Sequence, residues 1–310
     1  MVLGTFGIPK RLSSFRAATD VLKQSVVYRY GRIAAFAMLG EPRFYTPLSA
    51  ARHLARSEGG SRRSAPHVVT LRKEGDLTIW QTPLGVLATN EAEDRRHLEF
   101  LVREFERNVY LGGPARIRNG DVVLDVGANI GLFSRQAAAA GARRVIALEP
   151  TPATARAFKW NLASSLNDGV VSLLGKGAWD SHDTLPFTVN PGRPGSSSLV
   201  DPPSVTDAYV ITIDVAPLDF LVCECGLDRV DFIKMDIEGA ETLALQGAAE
   251  TLRKYKPQLA VAVEHTDDLL RNAAAVRDIV LRIEPSYRCI AGPFTVTERR
   301  TLAPEILFFV

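Results

Sequence analysis

The sequence predicts an α/β fold: a doubly wound, mostly parallel sheet, preceded by a helical N-terminal extension. Residues 122–126 (VVLDV) are nearly all apolar β-formers, as expected for a strand that is buried on both faces. They open into a turn that contains Gly127 and Gly131 and is followed by an alanine-rich segment. From there to the C-terminus, strand-like and helix-like segments alternate, which is typical of a parallel sheet covered by helices.

The N-terminal region is strongly basic. Residues 1–66 contain 11 Lys/Arg against 3 Asp/Glu, although the whole chain of 310 residues has a net charge of only +2. Apolar residues recur at helical spacing between residues 12 and 39, so we expect one or two helices that pack on the rest of the protein or on a second subunit. A basic arm would also suit an acidic protein, a membrane face or nucleic acid. The polar stretch 57–66, SEGGSRRSAP, marks its end.

Residues 67–118 are predicted to form a cap region between this extension and the main domain. Two strand-like segments, Val68–Arg72 and Leu77–Gln81, flank a Glu-Gly-Asp turn. This arrangement indicates a hairpin. Glu91–Arg107 is highly charged but carries an apolar stripe at helical spacing, so we expect an amphipathic helix. The main domain then covers residues 119–310.

The elements of the main domain follow in order from the glycine turn. A polar, proline-rich loop at residues 190–207 interrupts them and is predicted to be either disordered or a lid that contacts substrate. Helices are expected at residues 132–140, 154–166 and 240–252, and strands at 144–148, 170–175, 186–189, 210–215, 231–237 and 258–263. Ile290–Phe294 and Glu305–Val310 are expected to close a seven-stranded sheet as an antiparallel hairpin.

Two acidic residues lie near the carboxyl ends of the first two strands of this domain. Asp125 interrupts the first apolar run, and Glu149 follows the second strand, 22 residues after Gly127. Ligands of doubly wound sheets bind outside the carboxyl ends of the strands. A carboxylate at the tip of the second strand can accept hydrogen bonds from both ribose hydroxyls of an adenosine group. The sequence therefore predicts a cofactor that contains a nucleoside.

Two such cofactors are compatible with this unit, NAD and S-adenosylmethionine (SAM). Dinucleotide binding typically uses Gly-x-Gly-x-x-Gly, whereas Asn129 occupies the position of the middle glycine. Asp125 would place a carboxylate beside two phosphates, which is unfavourable, but it would suit a sulfonium ligand with an α-amino group. The pattern therefore favours SAM over NAD.

A second cluster of charged residues lies at the end of a later strand. Lys234, Asp236 and Glu238 alternate in the segment DFIKMDIE, so they would share one side of the strand if it stayed extended. The next strand ends at Glu264 and His265. A histidine at a strand tip is a candidate general base, because its ordinary pKa lies near neutrality.

Composition limits the cellular setting. The three cysteines, Cys223, Cys225 and Cys289, do not form a disulfide framework and are typical of a reducing compartment, so we expect a cytoplasmic protein. No apolar run approaches the ~20 residues that a membrane span requires.

The chain resembles the FkbM family of SAM-dependent methyltransferases over roughly residues 90–310. Four segments carry the resemblance: VVLDVGANIGLFS (122–134), IALEP (146–150), GAWD (177–180) and VDFIKMDIEGAE (230–241). The resemblance implies a Rossmann-like methyltransferase sheet and methyl transfer from SAM. The family usually modifies a hydroxyl of a sugar, a polyketide or another natural product of secondary metabolism.

The resemblance also implies cofactor-binding roles for particular residues. Glu149 would bind the ribose hydroxyls, Ala178 and Asp180 would lie beside adenine, and Asp236 would border the methyl group. Four residues of the first strand and its turn would hold the methionine moiety and the ribose side: Asp125, Gly127, Asn129 and Gly131.

The implied catalytic residues lie at the two later strand tips. Asp236, with Lys234 and Glu238, would face the acceptor, while Glu264 and His265 would position it. His265 or Asp236 would remove the proton of the acceptor hydroxyl. Three of these carboxylates would allow a divalent metal ion, but their spacing alone does not define a metal site.

Three other functions remain as alternatives. The glycine pattern disfavours an NAD-dependent oxidoreductase. The retention of every expected SAM-site residue disfavours a non-catalytic docking protein. A methyltransferase could instead act on nitrogen or on nucleic acid. Nucleic acid is disfavoured because no basic patch is interleaved with aromatic residues. We expect a small hydroxylated acceptor, and a homodimer formed through residues 1–66.

Overall fold

A computed structural model describes most of the chain after the N-terminal extension. The predicted helices between residues 12 and 39, most of the 190–207 loop and His265 lie outside the described part. The described residues are 66–192, 197, 199, 208–264, 268–296 and 302–310, without the side chains of Val296 and Leu302.

The described residues form short strands throughout. In chain order they are β1 (Val69–Glu74), β2 (Leu77–Thr82), β3 (Gly85–Asn90), β4 (Val122–Val126), β5 (Arg144–Leu148), β6 (Val171–Leu174), β7 (Gly177–Ala178), β8 (Asp183–Val189), β9 (Tyr209–Ala216), β10 (Phe232–Met235), β11 (Gln258–Ala262), β12 (Cys289–Ala291), β13 (Phe294–Val296), β14 (Leu302–Pro304) and β15 (Ile306–Phe309).

The central sheet has seven strands in the order β12-β15-β11-β10-β4-β5-β6. The five strands from β11 to β6 are parallel, and β15 runs antiparallel to both β11 and β12. The predicted doubly wound, mostly parallel fold is therefore confirmed, including its antiparallel closure. Because β4 lies between β10 and β5, the predicted glycine turn and the two predicted acidic tips end at one edge of the sheet.

Helices connect these strands. They are α1 (Arg95–Glu106), α2 (Leu132–Ala139), α3 (Pro152–Asn161), α4 (Ala163–Asn167), α5 (Leu218–Glu224), α6 (Glu241–Gln246), α7 (Ala249–Tyr255) and α8 (Leu269–Ile283). The start of α1 is fixed by Asp94, whose side chain accepts a hydrogen bond from the backbone N–H of Arg96. Its buried residues, Leu98, Leu101 and Val102, form the predicted apolar stripe.

Two predicted helices are each divided in the structure. The segment 154–166 bends at Leu162, which separates α3 from α4. The segment 240–252 is interrupted at Gly247, which lies directly against the backbone of Trp179; a Cβ there would overlap the Trp179 carbonyl oxygen. The contact at Gly247 could not be read from helical periodicity, because Trp179 is distant from it in the chain.

The cap contains one more strand than the sequence predicted. β1, β2 and β3 form a three-stranded antiparallel sheet, and β3 pairs with β2 across the tight turn at Gly85. All six residues of β1 are exposed, and a bulge interrupts its pairing with β2 between Thr70 and Arg72. Asn161 of α3 holds this sheet in place: its side chain accepts from the N–H of Ala88 (2.7 Å) and donates to the carbonyl of the same residue (3.0 Å).

A second small sheet lies beside the carboxyl edge of the central sheet. β9 pairs with β8 antiparallel and with β7 parallel. The predicted extra strand at 186–189 and the strand at 210–215 are thus the two arms of one hairpin, and the proline-rich loop connects them. Phe187, Val189, Ile213 and Val215 form a local apolar core on this sheet.

The main core lies between the central sheet and its helices. Its largest fully buried side chains include Phe133 of α2, Phe158 of α3, Phe232 of β10 and Phe308 of β15. None of the helices in the described part of the chain has the length and apolar character needed to cross a membrane.

Replacing Phe158 by alanine tests this core. The side chain is fully buried, so we expect Phe158→Ala to lower the free energy of unfolding by roughly 3–5 kcal/mol. Phe100 of α1 is 55% exposed, so Phe100→Ala is expected to change the free energy of unfolding by less than about 0.5 kcal/mol. Urea unfolding of both variants measures the difference. Equal losses would contradict the assignment of Phe158 to the core.

Candidate active site

Two adjoining cavities lie at the carboxyl edge of the central sheet. The larger encloses about 80 Å³ and the smaller about 30 Å³. Gly127, Asn129 and Asp236 line both of them. The carboxyl ends of β4 and β10 therefore meet where the sequence analysis placed the ligand.

The turn after β4 brings the backbone of two strands into contact. Gly127 has a φ of +78°, and a Cβ there would overlap the carbonyl oxygen of Asp236. The N–H groups of Gly127 and Ala128 both donate to the carbonyl of Leu148, at 3.1 and 2.8 Å. Only glycine combines this φ with so close an approach, so Gly127 shapes the floor of both cavities.

Glu149 is held in the larger cavity by backbone donors. Its carboxylate accepts from the N–H of Thr151 (2.8 Å) and from the N–H of Asn129 (3.1 Å). Burial raises the pKa of Glu149, although these two hydrogen bonds and the charge of Lys234 act in the opposite direction. Glu149, the residue predicted to bind the ribose, is therefore fixed in position, with its carboxyl group at the cavity wall.

Lys234 is buried beneath the turn, with a side chain only 4% exposed. Its ammonium group donates to the carbonyl of Gly127 (2.6 Å) and lies 3.4 Å from Asp125 Oδ1 and 3.8 Å from Asp236 Oδ2. Burial acts to lower the pKa of Lys234, but the charges of Asp125, Asp236 and Glu104 outweigh it and raise the pKa. The lysine therefore stays protonated and ties β10 to the turn after β4.

Asp125 lies beneath the turn rather than in the wall of either cavity. Its side chain is fully buried, and its Oδ2 accepts a hydrogen bond from the Ser134 hydroxyl (2.6 Å). Its other oxygen faces Lys234. Asp125 is predicted to hold the methionine moiety, and in the structure it contacts Ser134 and Lys234, which hold the turn.

Asp236 is joined to two residues that the sequence analysis missed. The Tyr110 hydroxyl lies 2.7 Å from Asp236 Oδ2 and 2.8 Å from Glu104 Oε1. Burial, and then the charges of Asp236 and Glu104, raise the pKa of Tyr110 well above its ordinary value, so the phenol stays protonated. Both residues belong to the cap and line the smaller cavity together with Lys234.

The other predicted site residues are divided between the cavities and the rest of the molecule. Ala178 and Glu238 line the larger cavity, beside the apolar side chains of Phe187 and Ile213. Glu238 has a φ of +54°, so the chain is no longer extended at this residue. Glu238 therefore does not continue the strand on which Lys234 and Asp236 were expected to share one side with it.

Besides Asp125, three predicted residues lie outside the walls of these two cavities. Gly131 faces helix α3 instead, where a Cβ would overlap the Leu162 side chain. Asp180 is exposed and accepts a hydrogen bond from the Ser181 hydroxyl (2.9 Å). Glu264 follows the end of β11, and its neighbour His265 belongs to the part that the structure does not describe.

Metal ligands do not cluster in the part of the chain that the structure describes. Groups of three or more His, Cys, Asp or Glu side chains arranged to hold an ion are absent among those residues. The carboxylates of Asp236 and Glu238 share the larger cavity, but no such group includes them.

The order of the strands, the glycine turn and the carboxylates at the sheet edge define a Rossmann-like protein of the methyltransferase type. Residues 125–287 match the family model of the methyltransferase FkbM domain, which is more than half of the chain. The protein therefore belongs to the FkbM methyltransferase family. Membership in this family implies SAM as the methyl donor.

Two of the curated relatives have names that describe methyltransferases. "Methyltransferase sdnD" of Sordaria araneosa is 31% identical over 170 residues, which are 44% of this chain and 63% of that protein. "2-O-methyltransferase NoeI" of Sinorhizobium fredii is 31% identical over 81 residues, or 26% of this chain and 32% of that protein. The chain thus spans less than two thirds of the length of these relatives.

Among solved structures, the chain is similar to the methyltransferase FkbM of Methylobacillus flagellatus. The two share 21% sequence identity with a TM-score of 0.47, and the match covers 70% of this chain and 55% of that one.

The crowding at Gly127 can be tested against a second glycine of similar conformation. Gly169 has a φ of +71° but open space around it, so Gly169→Ala is expected to cost about 1 kcal/mol of backbone strain. Gly127→Ala adds the overlap with the Asp236 carbonyl and is expected to cost more than about 3 kcal/mol. Urea unfolding compares the two, and similar losses would show that strain alone, not strand contact, requires glycine at residue 127.

Proposed function

We propose that the protein transfers the methyl group of SAM to a hydroxyl group of a small natural product such as a sugar or a polyketide. The observation that carries the proposal is the carboxylate of Glu149, held at the wall of the larger cavity by two backbone N–H groups. A carboxylate so placed can accept hydrogen bonds from vicinal ribose hydroxyls.

The residues around the larger cavity are suited to SAM. Next to Glu149, the buried Oδ1 of Asn129 has no hydrogen-bond partner among the residues that the structure describes and can accept from a ligand hydroxyl or ammonium group. Ala178, Phe187 and Ile213 supply an apolar wall that is suited to adenine. SAM, when bound, supplies an electrophilic methyl group on a sulfonium centre.

The protein's own groups would align the acceptor and receive its proton. Asp236 lies where the two cavities meet, and it is the acidic residue common to both walls. Lys234 and Tyr110 fix its Oδ2. Since the Tyr110 phenol stays protonated, it cannot serve as the base itself. Asp236 and His265 therefore remain the two candidates to accept the acceptor's hydroxyl proton.

The choice of an oxygen acceptor rests on family resemblance and on one relative whose name specifies 2-O-methylation. A carboxylate such as that of Asp236 can either accept a hydroxyl proton or hold an amine, so N-methylation is the competing acceptor chemistry. The proposed partner is a small hydroxylated molecule. The expected homodimer through residues 1–66 and the cytoplasmic location stay predictions.

Calorimetric titration with SAM, and separately with NAD, tests the cofactor. We expect micromolar binding of SAM and no binding of NAD. Glu149→Ala should weaken SAM binding about 100-fold, because it removes the acceptor for two ribose hydroxyls. Glu91 is an exposed cap residue, and Glu91→Ala should leave the affinity within about twofold. If the folded protein does not bind SAM, the proposed function is wrong.

The base can be identified once a panel of hydroxylated acceptors yields a product. We expect His265→Ala to keep its affinity for SAM but to lose about 100-fold or more in turnover, as for the loss of a general base. The matched control is His67→Ala, since His67 is exposed in the cap. If His265→Ala retains full turnover while Asp236→Asn does not, Asp236 is the base.

A further inference from the structure

Glu241, the first residue of α6, is a fully buried acidic residue that the proposed function does not use. Its Oε1 accepts hydrogen bonds from the N–H groups of Ile237 (3.0 Å) and Gly239 (3.3 Å). A carboxylate is costly to bury, and backbone donors of this kind offset that cost. Glu241 therefore holds the backbone on both sides of Glu238.

The turn that Glu241 holds has an unusual backbone conformation. Glu238 and Gly239 have consecutive positive φ values, +54° and +97°. A residue other than glycine rarely adopts such a φ, because its Cβ crowds the backbone, and it does so only where its surroundings enforce it. Here β4 fixes one side of the turn, since the N–H of Asp236 donates to the carbonyl of Val126 (3.0 Å), and Glu241 fixes the other.

The enforced turn forms part of the wall of the larger cavity. Four of its residues line that cavity together with Glu149: Asp236, Ile237, Glu238 and Ala240. Glu241 itself lines neither of the two cavities, so it can influence them only through the turn. Backbone strain of the kind seen at Glu238 is concentrated at functional sites, which points to a role for the Glu238 side chain rather than for the turn alone.

We propose that Glu241 is a positioning residue, which directs the carboxylate of Glu238 toward the sulfonium centre of bound SAM through the N–H groups of Ile237 and Gly239. This inference rests on the proposed function, since it requires SAM in the larger cavity. A carboxylate so placed attracts the positively charged methyl donor but not the neutral S-adenosylhomocysteine that methyl transfer leaves behind. Glu238 then favours binding of the donor over retention of the product.

Calorimetric titration with SAM and with S-adenosylhomocysteine tests the proposal without a methyl acceptor. The two ligands differ by one methyl group and one positive charge, so the ratio of the dissociation constant of S-adenosylhomocysteine to that of SAM reports a charge near the sulfur. Glu238→Gln should lower this ratio about threefold, as expected for one partly exposed charge pair. Glu241→Ala should lower it by the same factor. Glu241→Gln should keep the wild-type ratio, because its amide oxygen can still accept both hydrogen bonds.

Three further variants complete the experiment. The double variant Glu238→Gln/Glu241→Ala should have the same ratio as Glu238→Gln alone, because Glu241 acts through Glu238. Glu250→Gln changes an exposed glutamate in the first turn of α7 and should leave both affinities unchanged. If Glu241→Ala does not fold, Glu241→Asp takes its place. Its side chain is one methylene shorter and cannot reach both N–H groups as Glu241 does, so the ratio should fall in the same direction.

The outcomes separate this inference from the proposed function. If Glu238→Gln keeps the wild-type ratio, or if the Glu241 variants lower both affinities equally, the inference is wrong while SAM binding stands. A further fall of the ratio in the double variant would also overturn it, because Glu241 would then act by another route. If the wild-type protein binds neither ligand, the proposed function fails, and this inference fails with it.

Discussion

The buried ammonium group of Lys234 is the interaction on which the site depends. It links β10 to the turn after β4 through the Gly127 carbonyl and the carboxylates of Asp125 and Asp236. In the same turn, the N–H of Asn129 donates a hydrogen bond to Glu149. Removing one partner of a buried ion pair typically costs about 3–5 kcal/mol, because the remaining charge is left uncompensated. Cofactor site and sheet edge are therefore stabilised by the same charges.

The cap completes the site rather than merely covering it. Tyr110 follows α1 in the chain, and its ring lies over the Lys234 ammonium group at 5.4 Å while its hydroxyl reaches Asp236. Asn161 and the Ala88 backbone bind the cap sheet to α3, which also contributes Phe158 to the main core. Because the cap is held through α3, the positions of Tyr110 and of the glycine turn are both set by packing of the same core.

The sequence predicted the fold well and the site in part, for physical reasons. Strand periodicity and the glycine turn identify β4, β5 and β10, because burial on both faces leaves a clear apolar pattern. The pattern does not reveal which way a carboxylate points, so the contacts of Asp125 with Ser134 and Lys234 are visible only in the structure. Tyr110 lies 126 residues from Asp236, and no local motif marks a contact at that separation.

The exposed edge of the cap sheet bears on how the protein behaves at high concentration. Within the described part of the chain, β1 pairs only with β2, and its residues Val69 and Leu71 are 40% and 47% exposed. Such an edge can template pairing with a second chain and lead to aggregation. The bulge after Thr70 distorts the edge, and the charged run Arg72–Glu74 makes it unfavourable for another strand to join. Both features disfavour pairing of this edge with a strand of a second chain.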